Sequence, residues 1–161
     1  MTSSALDVRD RALLGLSQEL SLFGYKKSGR AFRYIFGNGN IGFIGVQSSQ
    51  SSSAACVKIR LSYGICCIEL FQLQFPKRRP TVIDAHIGGI FEGEGAGDSW
   101  WTLLPETSST DLVERIANLA ISKYIPWMAG HWQNDLIKSE LRASRNSRIM
   151  PSAWLEFIDK K

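Results

Sequence analysis

The sequence predicts an α+β domain built on a largely antiparallel sheet of five to six strands, with one helix before the sheet and two after it. Three observations carry that prediction. Short segments of alternating apolar and polar residues follow one another between residues 31 and 104, which is strand periodicity. Clusters of Asn, Gly, Ser and Pro join them over distances short enough for hairpins. An apolar stripe at helical spacing precedes these segments, and the same spacing returns after Pro105. No internal repeat or long linker divides the chain, so residues 1–161 are expected to form one domain.

Residues 4–23 carry Leu13, Leu16, Leu20 and Phe23 on one stripe, the pattern of an amphipathic helix packed on a core. Ser4 followed by Asp7 supplies an N-cap, and Gly24 supplies the left-handed residue that ends such a helix. Phe32, Tyr34 and Phe36 then alternate with Arg33 and Ile35, and Asn38-Gly39 is a hairpin turn because both residues tolerate positive φ. The return strand, Ile41 to Gln47, is apolar on both faces and is therefore expected at the centre of the sheet. Residues 55–63 place Val57, Ile59, Leu61 and Tyr63 on one face, with Lys58, Arg60 and Ser62 on the other. Cys67 to Phe75 and Thr81 to Phe91 read as the next two strands, separated by the basic turn Pro76 to Pro80, and Trp100 to Leu104 as the last.

Beyond Pro105, Asp111 and Glu114 suggest a capping box for a helix through Leu112, Ile116, Leu119 and Lys123, expected to stop before Pro126. A further helix is predicted from His131 to about Arg145, with Trp132, Leu136 and Leu141 inward. The tail, residues 146–161, is too apolar around Trp154, Phe157 and Ile158 to hang free and should dock on the body.

Composition narrows the class. No apolar run approaches the roughly 20 residues that span a bilayer, and the first residues form neither a basic nor an apolar leader region. Three cysteines, two of them adjacent at Cys66 and Cys67, do not make a disulfide framework, which fits the reducing cytoplasm. The net charge of +4 is mildly basic and can assist binding to an anion without requiring it.

Cys56, Cys66, Cys67, His86 and His131 show no metal-ligand spacing, so no metal and no cofactor is expected. Asp84 and His86, two apart on a predicted strand, share a face and give a residual hydrolase reading, although no nucleophile elbow accompanies them. The glycine loop from Glu92 to Asp98 carries Glu94 and two other acids, and its lack of a Lys-Ser/Thr pair makes it repel phosphate. Lys138, Arg142, Arg145 and Arg148 recur at helical spacing and form a basic stripe, the alternative nucleic-acid-binding surface. All five tryptophans, at 100, 101, 127, 132 and 154, lie in the second half of the chain. Trp100 and Trp101 on one strand must point to opposite faces, so one enters the core and the other is available to a partner.

Several short motifs also occur in a recognisable order: Gly24-Tyr-Lys-Lys-Ser-Gly-Arg-Ala-Phe32-Arg, Gln47-Ser-Ser, Gly64, His86-Ile-Gly, Asp98-Ser-Trp-Trp101 and Tyr124-Ile-Pro-Trp127. Over about residues 6–130 the chain resembles the bacterial family of domain of unknown function 4304. That resemblance implies a small bacterial α+β domain and transfers no catalytic residue. The segment after His131, with its arginine stripe, lies outside it.

The functional expectation is therefore a non-enzymatic, cytoplasmic protein-interaction domain, an immunity- or antitoxin-like partner, with no membrane association. Its expected contacts are one of Trp100 and Trp101 together with Glu94 and Asp98. The identity of its protein partner is not encoded in any motif.

Overall fold

Ser4 opens the first helix by a reciprocal capping box: its Oγ accepts the Asp7 N–H at 3.2 Å, and Asp7 Oδ2 accepts the Ser4 N–H at 2.8 Å. The computed structural model describes residues 3–90 and 100–161, and helix α1 runs over Ala5–Ser21. Its stripe buries Val8, Leu13, Leu16 and Leu20 but leaves Phe23 exposed, because the helix has already ended. Gly24 sits at φ +84, where a Cβ would strain the backbone.

Among the described residues six antiparallel strands follow: β1 (Lys26–Ser28), β2 (Ala31–Ile35), β3 (Ile41–Ser48), β4 (Val57–Cys66), β5 (Ile87–Ile90) and β6 (Trp101–Leu103). Their order is β1-β2-β3-β4-β5, and β6 also pairs with β4, lying end to end with β5 along the same edge. The β2–β3 hairpin spans residues 36–40 and is closed by Phe36 N–H on the Asn40 carbonyl at 2.8 Å. Strand β3 is buried throughout its first six residues, as its two apolar faces require.

The fold class and the sheet agree with the sequence, but the helix arrangement differs. The segment expected as a strand from Cys67 to Phe75 is helix α2 (Ile68–Gln74). The expected strand from Thr81 divides into a 3₁₀ turn, Val82–Asp84, and strand β5. After the sheet come four helices: α3 (Ser109–Leu119), α4 (Ile125–His131), α5 (Asn134–Ala143) and α6 (Ser152–Asp159). Ser108, not Asp111, is the N-cap of α3; its side chain accepts the Asp111 N–H.

Pro126 does not stop the chain's helical path. A π turn, Ala120–Tyr124, directs the Ile125 N–H to the Ala120 carbonyl, and Pro126 then falls in the first turn of α4. The wider turn absorbs the ring that would clash inside a regular helix. In α5 the inward residues are Ile137 and Leu141, while Leu136 is exposed.

One sheet face packs on α1, α3 and the π turn through Phe32, Ile44, Val46, Ile59, Leu61 and Ile65. Burial of this many large apolar side chains, each worth about 1.5–3 kcal/mol, is the main force holding the layers together. On the other face, a smaller cluster of Ile41, Phe43, Cys66 and Phe71 covers one end of the sheet through α2. Among the described residues the rest of that outer face carries no α-helix; the 3₁₀ turn Val82–Asp84 crosses it. Among the described residues no helix is long and apolar enough to cross a membrane.

Candidate functional site

Between the outer sheet face and the segment 81–86 lies a cleft of about 840 Å³. Its floor follows from register: Ala31, Gly45 and Ser62 are paired neighbours on β2, β3 and β4, and all three side chains are small. Gly45 cannot carry a Cβ, which would lie 2.7 Å from both Ser62 Oγ and Val82 Cγ2. The segment 81–86 crosses above this floor and forms the opposite wall, with Ile83 86% exposed at its rim. Arg30 and Arg33 stand on one side of the cleft and Arg148 on the other, and no Asp or Glu of the described residues lines it.

A buried polar knot fixes the wall. Asn40, only 1% exposed, donates through Nδ2 to the Trp132 carbonyl (2.7 Å) and Asn134 Oδ1 (2.8 Å), and accepts the Ile68 N–H through Oδ1 at 3.0 Å. His86, 2% exposed, accepts the Cys67 N–H through Nδ1 at 2.9 Å. Two first-turn N–H groups of α2, orphans in any helix, are thus satisfied by side chains distant in sequence. Asn134 closes the knot, accepting from Cys67 Sγ at 3.6 Å and donating to Glu69 at 3.1 Å.

This geometry determines the acid–base character of the buried groups. Burial pushes the His86 imidazole down to about 4, with the Asp84 carboxylate opposing the shift and the Arg148 guanidinium adding to it. Burial likewise pushes the Cys66 thiol up to about 12 and the Cys67 thiol upward. The structure therefore brings Cys67 beside His86, which the sequence did not indicate, but through the backbone of Cys67 rather than its thiol.

Asp84 and His86 do not share a strand face: Asp84 closes the 3₁₀ turn and His86 precedes β5. Asp84 Oδ2 accepts from the Thr81 N–H at 2.7 Å and the Thr81 hydroxyl at 3.0 Å, and Oδ1 pairs with Arg78 at 2.7 Å. Partial burial raises the Asp84 carboxyl, but these hydrogen bonds outweigh it and hold the group below its ordinary range.

The basic stripe is drawn together, onto the chain's own end. Arg142 donates to the Ile158 carbonyl at 2.6 Å, Lys138 reaches the Lys160 carbonyl at 3.5 Å, and Arg145 pairs with Asp159 at 3.3 Å. Cations at the C-terminal end of α6 complement its dipole. Arg148 donates to the His86 carbonyl at 3.1 Å and lies over the Trp154 ring at 4.9 Å. The tail thus docks, burying Phe157 and Ile158.

The tryptophans divide as strand alternation requires. Trp101 is buried, with the Arg115 guanidinium 4.9 Å from its ring centre. Trp100 is half-buried on the outer face, where Arg60 lies 4.5 Å over its ring. Glu94 and Asp98, with the rest of the acidic loop, lie outside the described residues. Among the described residues no three His, Cys, Asp or Glu side chains are grouped as metal ligands would be.

The chain matches the family described as domain of unknown function DUF4304 over residues 16–130, more than two thirds of its length. The chain belongs to the DUF4304 family. Comparison with curated proteins and with solved structures gave no match. The DUF4304 match takes in all three strands of the cleft floor and the wall at residues 81–86, but ends before Arg148 and the helices that carry the tail. Asn40 was missed by sequence reasoning because it reads as part of the hairpin turn; an Asn directly before a fully apolar strand was the available signal. The cleft floor was also legible in principle, as three small residues at facing register positions.

Proposed function

We propose that this DUF4304 protein is a non-enzymatic protein-interaction domain that engages its partner through the outer-face cleft. The observation that carries the reading is the cleft itself: about 840 Å³ between the sheet and the segment 81–86, edged by an isoleucine, Ile83, that is 86% exposed. At the edge of a concavity such a side chain can be buried by a partner while the cleft takes up the partner's own groups. The groups best suited to acid–base work, His86 and Cys67, are buried and hold backbone and amide hydrogen bonds in the knot.

The unpaired thiols of Cys56, Cys66 and Cys67 support a reducing, cytoplasmic setting. Among small bacterial interaction domains, an immunity- or antitoxin-like partner is the role we favour. The net charge of +4 then favours an acidic target surface over a basic one.

The test is capture of the tagged protein's partners from its source cell, with nuclease treatment and with an Ile83→Asp variant in parallel. A protein retained by the wild type, insensitive to nuclease and lost with Ile83→Asp is the expected result. Nucleic acid released by salt would instead support the reading of the basic groups as phosphate contacts.

A further inference from the structure

We infer that the occupant of the cleft is an extended acidic segment of the partner protein, its carboxylates on Arg30, Arg33 and Arg148 and an apolar side chain against Ile83. The inference rests on the interaction-domain reading and adds the chemistry of what is bound.

Charge complementarity is the first support. Arg9 pairs with Asp10, Arg78 with Asp84 and Arg145 with Asp159, while Arg142 donates to the Ile158 carbonyl and Arg148, at the cleft, to the His86 carbonyl. Arg33, half-buried at the cleft, has no hydrogen-bond, ion-pair or ring partner among the described residues, and neither has Arg30 on the preceding turn. A guanidinium brought partly out of water without an anion forgoes its strongest interaction, which a carboxylate supplies in bidentate form.

Size and shape are the second. About 840 Å³ is far more than a single anion fills and lies in the range of built ligand sites. Val82 packs down onto Gly45 between β3 and the crossing segment, so the occupant lies along the rim formed by Arg30, Arg33 and Ile83 rather than against the floor itself.

The third is what the cleft lacks. Single-stranded nucleic acid is held by aromatic faces on which bases stack. Among the described residues the aromatic side chains at the cleft are Phe43, which is buried, and Tyr63, which stacks on Tyr124 with ring centres 4.4 Å apart. Ile83 and Val82 instead offer aliphatic surface suited to a peptide side chain.

The experiment is fluorescence anisotropy of the full chain with a short labelled peptide of alternating glutamate and leucine. A lysine–leucine peptide and an oligothymidine of the same length are the comparison probes. The glutamate peptide is expected to bind saturably, and Arg33→Glu to weaken it about tenfold or more through loss of a charge-assisted pair. Ile83→Ser should weaken it several-fold. Lys77→Glu, the same charge change outside the cleft, should stay within about twofold. Absence of saturable binding, equal losses for Arg33→Glu and Lys77→Glu, or tighter binding of the oligonucleotide would overturn the proposal. If the peptide fails while Ile83→Asp still loses a captured protein, the acidic occupant is wrong and the interaction reading stands; if both fail, both fall.

Discussion

His86 Nδ1 accepts the backbone N–H of Cys67 at 2.9 Å, tying the approach to β5 to the start of α2. An imidazole that accepts at Nδ1 is neutral and carries its proton on Nε2. Protonation would set two N–H groups against each other inside the protein, in the same direction as the burial that holds this group at about 4.

The pH dependence of stability follows. The folded pKa of about 4 lies below the ordinary 6.5, so between these values the unfolded chain binds the proton and the folded protein does not. Stability is fully present above the unfolded pKa and declines as pH falls toward the folded one. The total is about 3 kcal/mol, from 1.36 kcal/mol per unit. Asp7 and Asp84 are held below 3.8 and titrate beneath this window. Urea denaturation at pH 7 and pH 4.5 should show a drop in the wild type that shrinks in His86→Gln.

Thiol reactivity reports the same burial. Cys66 and Cys67 are fully buried with raised pKa values, whereas Cys56 is half-buried. The thiolate is the reactive form. Ellman's reagent should therefore titrate Cys56 alone within minutes in the native protein and all three cysteines after denaturation.

The knot explains the largest departure from the sequence. Residues 67–75 alternate Phe71, Leu73 and Phe75 with Gln72 and Gln74, closely enough to read as a strand. A seven-residue helix is too short for its period to be distinctive. What decides for helix is tertiary: Asn40 and His86 satisfy the N–H groups of Ile68 and Cys67, and neither is a sequence neighbour. Asn40→Ala should leave the Ile68 N–H, the Trp132 carbonyl and Asn134 without their partner, costing about 2–4 kcal/mol in chemical denaturation.

Elsewhere, what was legible depended on range. The capping box at Ser4, the Gly24 stop and the central, two-faced β3 all come from local pattern, and the structure shows each of them. Asp84 and His86 do not share a strand face because strand alternation does not run through a 3₁₀ turn. The cleft was invisible as a cavity because it depends on which part of a sheet face the helices leave bare. Its small floor residues were visible, but only the register brings them together.

The arginine stripe gives a graded prediction. Arg142 makes a part-buried, charge-assisted bond to the Ile158 carbonyl, while Arg145 and Asp159 meet at the exposed surface. Arg142→Met should cost about 1.5–3 kcal/mol, and Arg145→Met at most about 0.5 kcal/mol. Equal losses, measured by urea midpoint, would contradict the docking geometry.

The most direct measurement of the central claim is site-specific photocrosslinking in the source cell. A benzophenone amino acid is placed at Ile83 on the cleft rim, or at Leu22, which is also highly exposed but does not line the cleft. The account predicts a discrete protein adduct from position 83 that is absent from position 22 and disappears with Arg33→Glu. No adduct from position 83, or the same adduct from both positions, would contradict it.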